Sequence, residues 1–290
     1  MTVTVSGLYI YPIKSCGGIA LQHSAIGMAG LQNDRRWMLV TPDGLFLTQR
    51  GLPAMARIGT GIHDGFLTVT YPGMPRLDVP IDVIEDDDSV RLQVTVWRDA
   101  VDAVDEGDLA AQWFSAALQT PCRLVKVHPQ AHRVAGVDYV TDWLAAHPET
   151  AGFAPRHVYA FADGYPVLVT NEASLAELNR RLVERGQQEV GMDRFRANVV
   201  LSGLDAFEED YVALLQVGDI RFGLVKPCVR CEVPNTDQVT GQRHAEPMTT
   251  LTGFRSQRTG GVTFGENAIV DAPAHAVIAV GDAVDITLEF

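Results

Sequence analysis

Glycine and proline break the first third of the chain into short alternating runs, and this punctuation constrains the fold most. Val3 to Tyr11 alternates apolar and polar residues as a strand does. Ile19 to Val40 reads as two further strands around Gly27 and Gly30. Arg57–Ile62, Phe66–Tyr71 and Val90–Val96 follow in the same style. Two echoes, Val217-Gly-Asp and Val280-Gly-Asp, each lead into an alternating stretch and read as tight turns into strands of one barrel. Helical periodicity is confined to a few places. Leu109–Leu118 puts Leu109, Trp113 and Ala117 on one face, with Asp108 as cap and Thr120-Pro121 as stop. Asn171 caps a helix lined by Leu175, Leu178 and Leu182 that ends at Gly186. Cys122–Val127 and Tyr165–Thr170 are strands. The expected class is α+β, predominantly β.

The formal net charge of −13 argues against nucleic acid and anionic membrane surfaces. Any anion site must then be a local cluster of Lys and Arg. Four cysteines in 290 residues make no disulfide framework and suggest a reducing compartment. The start is not a signal peptide and no apolar run approaches a membrane span, so a cytoplasmic protein is expected. Glu85-Asp-Asp-Asp88 reads as a solvated loop.

The chemistry gathers at Lys226-Pro-Cys-Val-Arg-Cys231. Thiolates are soft ligands and nucleophiles, and Lys226 and Arg230 favour the thiolate form. A zinc site would need two further ligands, and no second pair has the spacing. A thioredoxin-like dithiol would open a helix, which Pro234 and the polar loop oppose. Inert buried cysteines are the plain alternative. His128 and His132 have helical metal-pair spacing but sit in a loop with no H-E-x-x-H pattern.

Other polar groups invite a ligand. Lys14 and Ser15 donate from a loop in which Gly17-Gly18 permits close backbone approach. Asn33-Asp-Arg-Arg-Trp37 either forms a surface ion cluster or aims a guanidinium inward at phosphate. Arg196 and Asn198 fall on one face of an extended segment before the strand Val199–Leu201. Asn171 at a helix start also suits an anion. Phe264-Gly265 reads as a turn or as a close approach to a bound group.

Taken in order, Tyr11-Pro-Ile-Lys-Ser-Cys16, Asp34-Arg35, Phe161-Ala-Asp163 with Asn171-Glu-Ala-Ser-Leu175, Arg194-Phe-Arg-Ala-Asn198, Lys226–Cys231 and Phe264-Gly-Glu-Asn267 resemble MOSC-domain proteins with an N-terminal MOSC β-barrel domain. That group includes bacterial YcbX-like proteins and mitochondrial amidoxime-reducing components. The resemblance implies two β-rich lobes, residues 1–122 as the N-terminal domain and 123–290 as the MOSC domain, with some exchange of strands. It implies a molybdenum cofactor (a molybdopterin) lying between the lobes. Cys231 would be the metal ligand and catalytic residue, with Cys228 as the alternative. Lys14, Ser15, Arg35, Asn171, Arg196, Asn198, Arg230 and Asn267 would grip the pterin and its phosphate. The implied activity is reduction of N-hydroxylated small molecules such as amidoximes, hydroxylamines and N-hydroxylated bases, a detoxification role. Electrons would come from a separate flavin, iron–sulfur or haem protein. The alternative is a carrier of sulfur or cofactor without turnover. Val229 and Ala197 depart from the usual hydroxyl or small residue and proline.

Overall fold

The first strand, β1 (Val3–Ile10), changes face halfway along. Val3 and Val5 point into the core, whereas beyond a bulge between Val5 and Gly7 the buried residues are Leu8 and Ile10. One extra residue shifts the side-chain parity and lets the strand curve. The computed structural model describes residues 2–82, 90–148, 150, 152–257 and 260–289; the acidic run 85–88 lies outside them. In chain order there follow β2 (Ile19–Leu21), β3 (His23–Gly27), β4 (Gly30–Leu31), β5 (Trp37–Val40), β6 (Gly59–His63), β7 (Phe66–Thr70), β8 (Leu77–Pro80), β9 (Arg91–Val96) and β10 (Asp99–Asp105). Next come helix α1 (Asp108–Leu118), β11 (Arg123–Val127), α2 (Val137–Ala146), β12 (Val167–Asn171), α3 (Glu172–Glu184), β13 (Val199–Ser202), β14 (Val212–Val217) and β15 (Ile220–Val229). The chain closes with α4 (Met248–Arg255), β16 (Thr263–Asp271), β17 (Val277–Ala279) and β18 (Ala283–Leu288).

Seven strands run β13-β12-β16-β15-β14-β18-β1, and β1 pairs back on β13 to close a barrel. Closure removes the unpaired edges an open sheet would show. Its core holds Val5, Leu8, Val169, Leu201, Phe222 and Val270. The two Gly-Asp turns behave as expected: Gly218-Asp219 joins β14 to β15, Gly281-Asp282 leads into β18, and β14 lies between β15 and β18 in the barrel.

The other lobe has a four-stranded sheet, β5-β11-β10-β9, and a three-stranded one, β6-β7-β8. All four residues of β5 are buried because both faces are covered. Trp37 and Leu39 join a core with Met55, Leu67 and Phe114, and Met38 and Val40 join one with Val96, Val125 and Phe161. The strand β11, placed in the second lobe by the expected division at 122/123, hydrogen-bonds to β5 and β10. The strand β1 in turn belongs to the seven-stranded barrel.

Helix α1 corrects one expected face. Ala110, Trp113, Phe114, Ala117 and Leu118 are buried at the spacing of an amphipathic stripe. Leu109 falls outside it and is 72% exposed. Gly107 occupies the cap position, and Asp108, which makes no cap bond, pairs with Arg123. Helix α3 matches expectation: the Asn171 side chain accepts from the Ala173 N–H, and Leu178 and Leu182 are fully buried.

Candidate active site: a cationic cleft with a thiol at its rim

Five segments meet in one cleft. The loop after β1 brings Lys14 and Ser15, the turn before β5 brings Arg35, and the segment before β12 brings Asp163. The approach to β13 brings Phe195, Arg196 and Asn198, and the end of β15 brings Cys228, Arg230 and Cys231; Asn267 stands on β16 beside them. Three of these residues hold left-handed backbone: Ser15 at φ 65, Arg35 at φ 47 and Arg196 at φ 56. Non-glycine residues rarely do so, at a cost of about 1–3 kcal/mol each, and such strain collects at functional sites. Arg196 and Asn198 thus share the cleft through a backbone kink, not through the alternation of an extended segment.

The cations are held by an inner framework. Arg35 donates to Asp34 Oδ2 (2.6 Å), Asn198 Oδ1 (3.0 Å) and the Arg196 carbonyl (3.0 Å). Asn198 also accepts from the Leu168 N–H and donates to the Tyr9 carbonyl, so its amide is committed to joining β1, β12 and Arg35. The Arg35 and Arg196 guanidinium carbons lie 4.4 and 4.2 Å from the centroid of the Tyr11 ring. The Asn33–Trp37 cluster is divided. Arg35 turns inward, while Arg36 bonds Asn33 and the exposed Asp82.

Charge in the cleft is not fully balanced. Arg196 is buried, and burial together with the neighbouring Arg35 pushes its pKa down to about 10. Its Nη1 donates to the Cys16 carbonyl (2.6 Å), but its Nη2 is buried with no partner. Arg230 donates to the Cys228 thiol (3.0 Å) and the Phe195 carbonyl (2.8 Å), and its Nε is likewise buried without a partner. Buried guanidinium nitrogens left unbonded are costly unless an anion satisfies them. Burial lowers the pKa of Lys14, opposed by Asp163, with which it pairs; its ammonium also donates to the Phe161 carbonyl at 2.9 Å. Beside these cations Cys231 is exposed, and among the described residues it has no hydrogen-bond partner.

Of the residues named in advance, Lys14, Ser15, Arg35, Arg196, Asn198, Arg230, Cys231 and Asn267 are brought together. Asn171 is not. Its side chain is fully buried, spent on the α3 cap, the Asp205 carbonyl and Glu209. The expected glycine approaches are also redirected. A Cβ on Gly18 would strike the Tyr11 ring at 2.5 Å, and one on Gly265 would strike the Val169 carbonyl at 2.6 Å, so both glycines serve chain packing. Cys16 is buried, and burial raises its thiol to about 12. His128 accepts from the Gln130 N–H within its loop. No group of three or more His, Cys, Asp or Glu among the described residues is arranged to hold a metal ion. Sequence reasoning passed over Asp163 and Phe195 as cleft residues, although both lie inside motifs it had singled out.

The fold and cleft define a two-lobed β protein with a cationic, thiol-bearing cleft. Residues 2–121 match the MOSC N-terminal beta barrel domain and residues 156–285 match the MOSC domain. Mitochondrial amidoxime reducing component 2 of Bos taurus is 32% identical over 258 residues, covering 87% of this chain and 72% of that protein. Mitochondrial amidoxime-reducing component 1 of Homo sapiens is 30% identical over 299 residues, covering 97% and 82%. Molybdenum cofactor sulfurase of Homo sapiens is 30% identical over 290 residues; this chain spans 32% of its length. The chain belongs to the MOSC family, in the branch that carries the N-terminal MOSC β-barrel domain. Among the described residues no helix is long and apolar enough to cross a membrane.

Proposed function

We propose that this protein is a molybdenum-cofactor-dependent reductase of N-hydroxylated compounds. The observation that carries the reading is the pair of buried, unpartnered guanidinium nitrogens, Arg196 Nη2 and Arg230 Nε, in the cleft that holds an exposed thiol. That donor set fits a group with both a phosphate and a soft metal. Arg196 and Arg230 take the anion, and Lys14, already held by Asp163, adds positive charge. Ser15 offers a hydroxyl beside them. Arg35 and Asn198 are spent on the framework and act by orienting Arg196. Asn267 donates to the Lys226 carbonyl (3.2 Å), which steadies the strand leading into the cysteine loop. Cys231, the exposed thiol at the cleft rim, is the metal ligand that the family resemblance implies, and Cys228, bonded by Arg230, is the alternative. When bound, the cofactor supplies the two-electron reduction that, with two protons, converts an N–OH group to N–H and water. The amidoxime-reducing relatives favour this class of substrate, and a separate protein supplies the electrons.

A second reading, a carrier of sulfur or cofactor, draws on the likeness to molybdenum cofactor sulfurase across 97% of this chain. The test is metal analysis of protein made with molybdenum available, joined to amidoxime reduction driven by a reduced viologen. Stoichiometric molybdenum, and turnover that disappears in Cys231→Ala, is expected. Full turnover in Cys231→Ala, or zinc in place of molybdenum, overturns the assignment. A persulfide on Cys231, with no pterin retained and no turnover, selects the carrier.

A further inference from the structure

Beside the cleft lies a second cavity of about 500 Å³, and Asp163 is the one residue common to both walls. It is a shallow groove open to solvent along one side. One wall is Trp97, at the tip of the hairpin joining β9 to β10. This indole is 43% exposed and its backbone is left-handed, φ 57, a conformation that bulky residues seldom take. The ring is nevertheless fixed. Phe46 lies against it with centroids 5.2 Å apart, the Arg50 guanidinium sits 4.1 Å from its centroid, and its Nε1 donates to Asp163 Oδ1 at 3.2 Å. Tyr159 belongs to the same wall set, its ring 4.6 Å from the Arg133 guanidinium. Arg133 is locked by Asp99 (2.9 Å) and by the carbonyls of Ala160 (3.0 Å) and Ala162 (2.7 Å). Asp163 is 73% exposed, and its Oδ2 has no partner among the described residues.

A rigid aromatic wall, a second aromatic ring and a free carboxylate oxygen shared with the cofactor cleft suit a flat ring attached to a group that carries an N–H donor. Packing that ring on the part of Trp97 left exposed beside Phe46 and Arg50 removes apolar surface from water, and Asp163 accepts from the donor. We propose that this cavity is the subsite for the aromatic body of a substrate whose N–O group reacts in the adjoining cleft, and that Trp97 sets a preference for aryl over alkyl compounds. This rests on the reductase reading above for the meaning of the ligand, but not for its binding.

Benzamidoxime and acetamidoxime share the reacting group and differ in the ring, so they separate the two claims. Cofactor-loaded protein is titrated with each compound calorimetrically, without an electron source. Trp97→Ala should weaken benzamidoxime binding about tenfold, the scale expected for loss of an aromatic partner. It should leave acetamidoxime unchanged. Trp97→Phe, which keeps a ring but loses the bond to Asp163, should restore most of the affinity. Under turnover, the KM for benzamidoxime should rise in Trp97→Ala while kcat and molybdenum content hold. Failure of the wild type to bind benzamidoxime, equal affinity in wild type and Trp97→Ala, or parallel loss for both compounds overturns the subsite. Ring-dependent binding with no reduction of either compound leaves the subsite standing and removes the reductase reading.

Discussion

Arg196→Met separates a cation kept for a ligand from one kept for the fold. In the free protein its guanidinium is pushed well below its ordinary range, to about 10, by burial and Arg35. At 1.36 kcal/mol per pKa unit, holding that charge costs the folded state about 3 kcal/mol. Methionine relieves this cost. It gives up the bond to the Cys16 carbonyl, worth about 1.5–3 kcal/mol, and the contact with the Tyr11 ring, worth about 1 kcal/mol. The two sides nearly cancel, so protein made without molybdopterin should unfold in urea within about 1 kcal/mol of wild type. Cofactor affinity should fall roughly 10- to 150-fold, because the charge-assisted bonds to the anion are lost. Urea denaturation of cofactor-free protein, with pterin and molybdenum content of loaded protein, measures both. A drop of more than about 3 kcal/mol in the free protein, with cofactor content retained, would refute the reasoning and make Arg196 a structural cation.

Asn171→Ala should cost about 1–3 kcal/mol in a denaturant titration, from loss of the α3 cap and of a partner for Glu209, with molybdenum per folded chain unchanged. Glu266 is raised to about 9 by burial and by Asp210 and Glu209 nearby. Its contribution to stability is therefore full below the ordinary value of 4.5 and is lost as pH rises through 9. Glu266→Gln should flatten the fall of unfolding free energy between these limits, and an unaltered slope would show that the carboxyl is not the group responsible. Phe264→Ala removes the ring stacked on Phe195, centroids 3.8 Å apart, under the cleft floor. It should destabilise by about 3–5 kcal/mol and lower cofactor retention with it, read by thermal unfolding and metal analysis.

Much of the barrel was legible because its strands alternate or end at Gly-Asp turns, as β1, β14–β15 and β18 do. The strand β10 was not. Asp-Ala-Val-Asp-Ala-Val-Asp has poor strand propensity, and Asp102 and Asp105 are accommodated by cross-strand bonds to Arg91 and Arg123. Helix α1 was found while its buried face was misjudged, since Leu109 lies one residue outside the stripe. In the site, residue chemistry identified the cations and the thiol. It could not separate Asn171 the helix cap from a ligand contact, because one amide suits both. Nor does a sequence reveal that Ser15, Arg35 and Arg196 reach the cleft by left-handed turns. Asp163 was passed over because an exposed acid reads as solvated until Lys14, 149 positions away, is seen against it.

The pairing of β1 with β13 and β18 makes the order of synthesis matter. The strand β1 is a stave of a barrel whose other strands all lie beyond residue 166. Its hairpin partner β2 is at hand at once, but its barrel partners β13 and β18 follow only after the whole of the other lobe, and contacts of such separation form slowly. A fragment that begins after residue 121 would keep Cys228, Cys231 and Arg196 yet carry an open seam between β13 and β18. Two bare strand edges would then face solvent, an invitation to pair with a neighbouring chain. The boundary drawn by domain matching is therefore a poor place to cut, and a split protein should regain its barrel only when the peptide bearing β1 is supplied in trans.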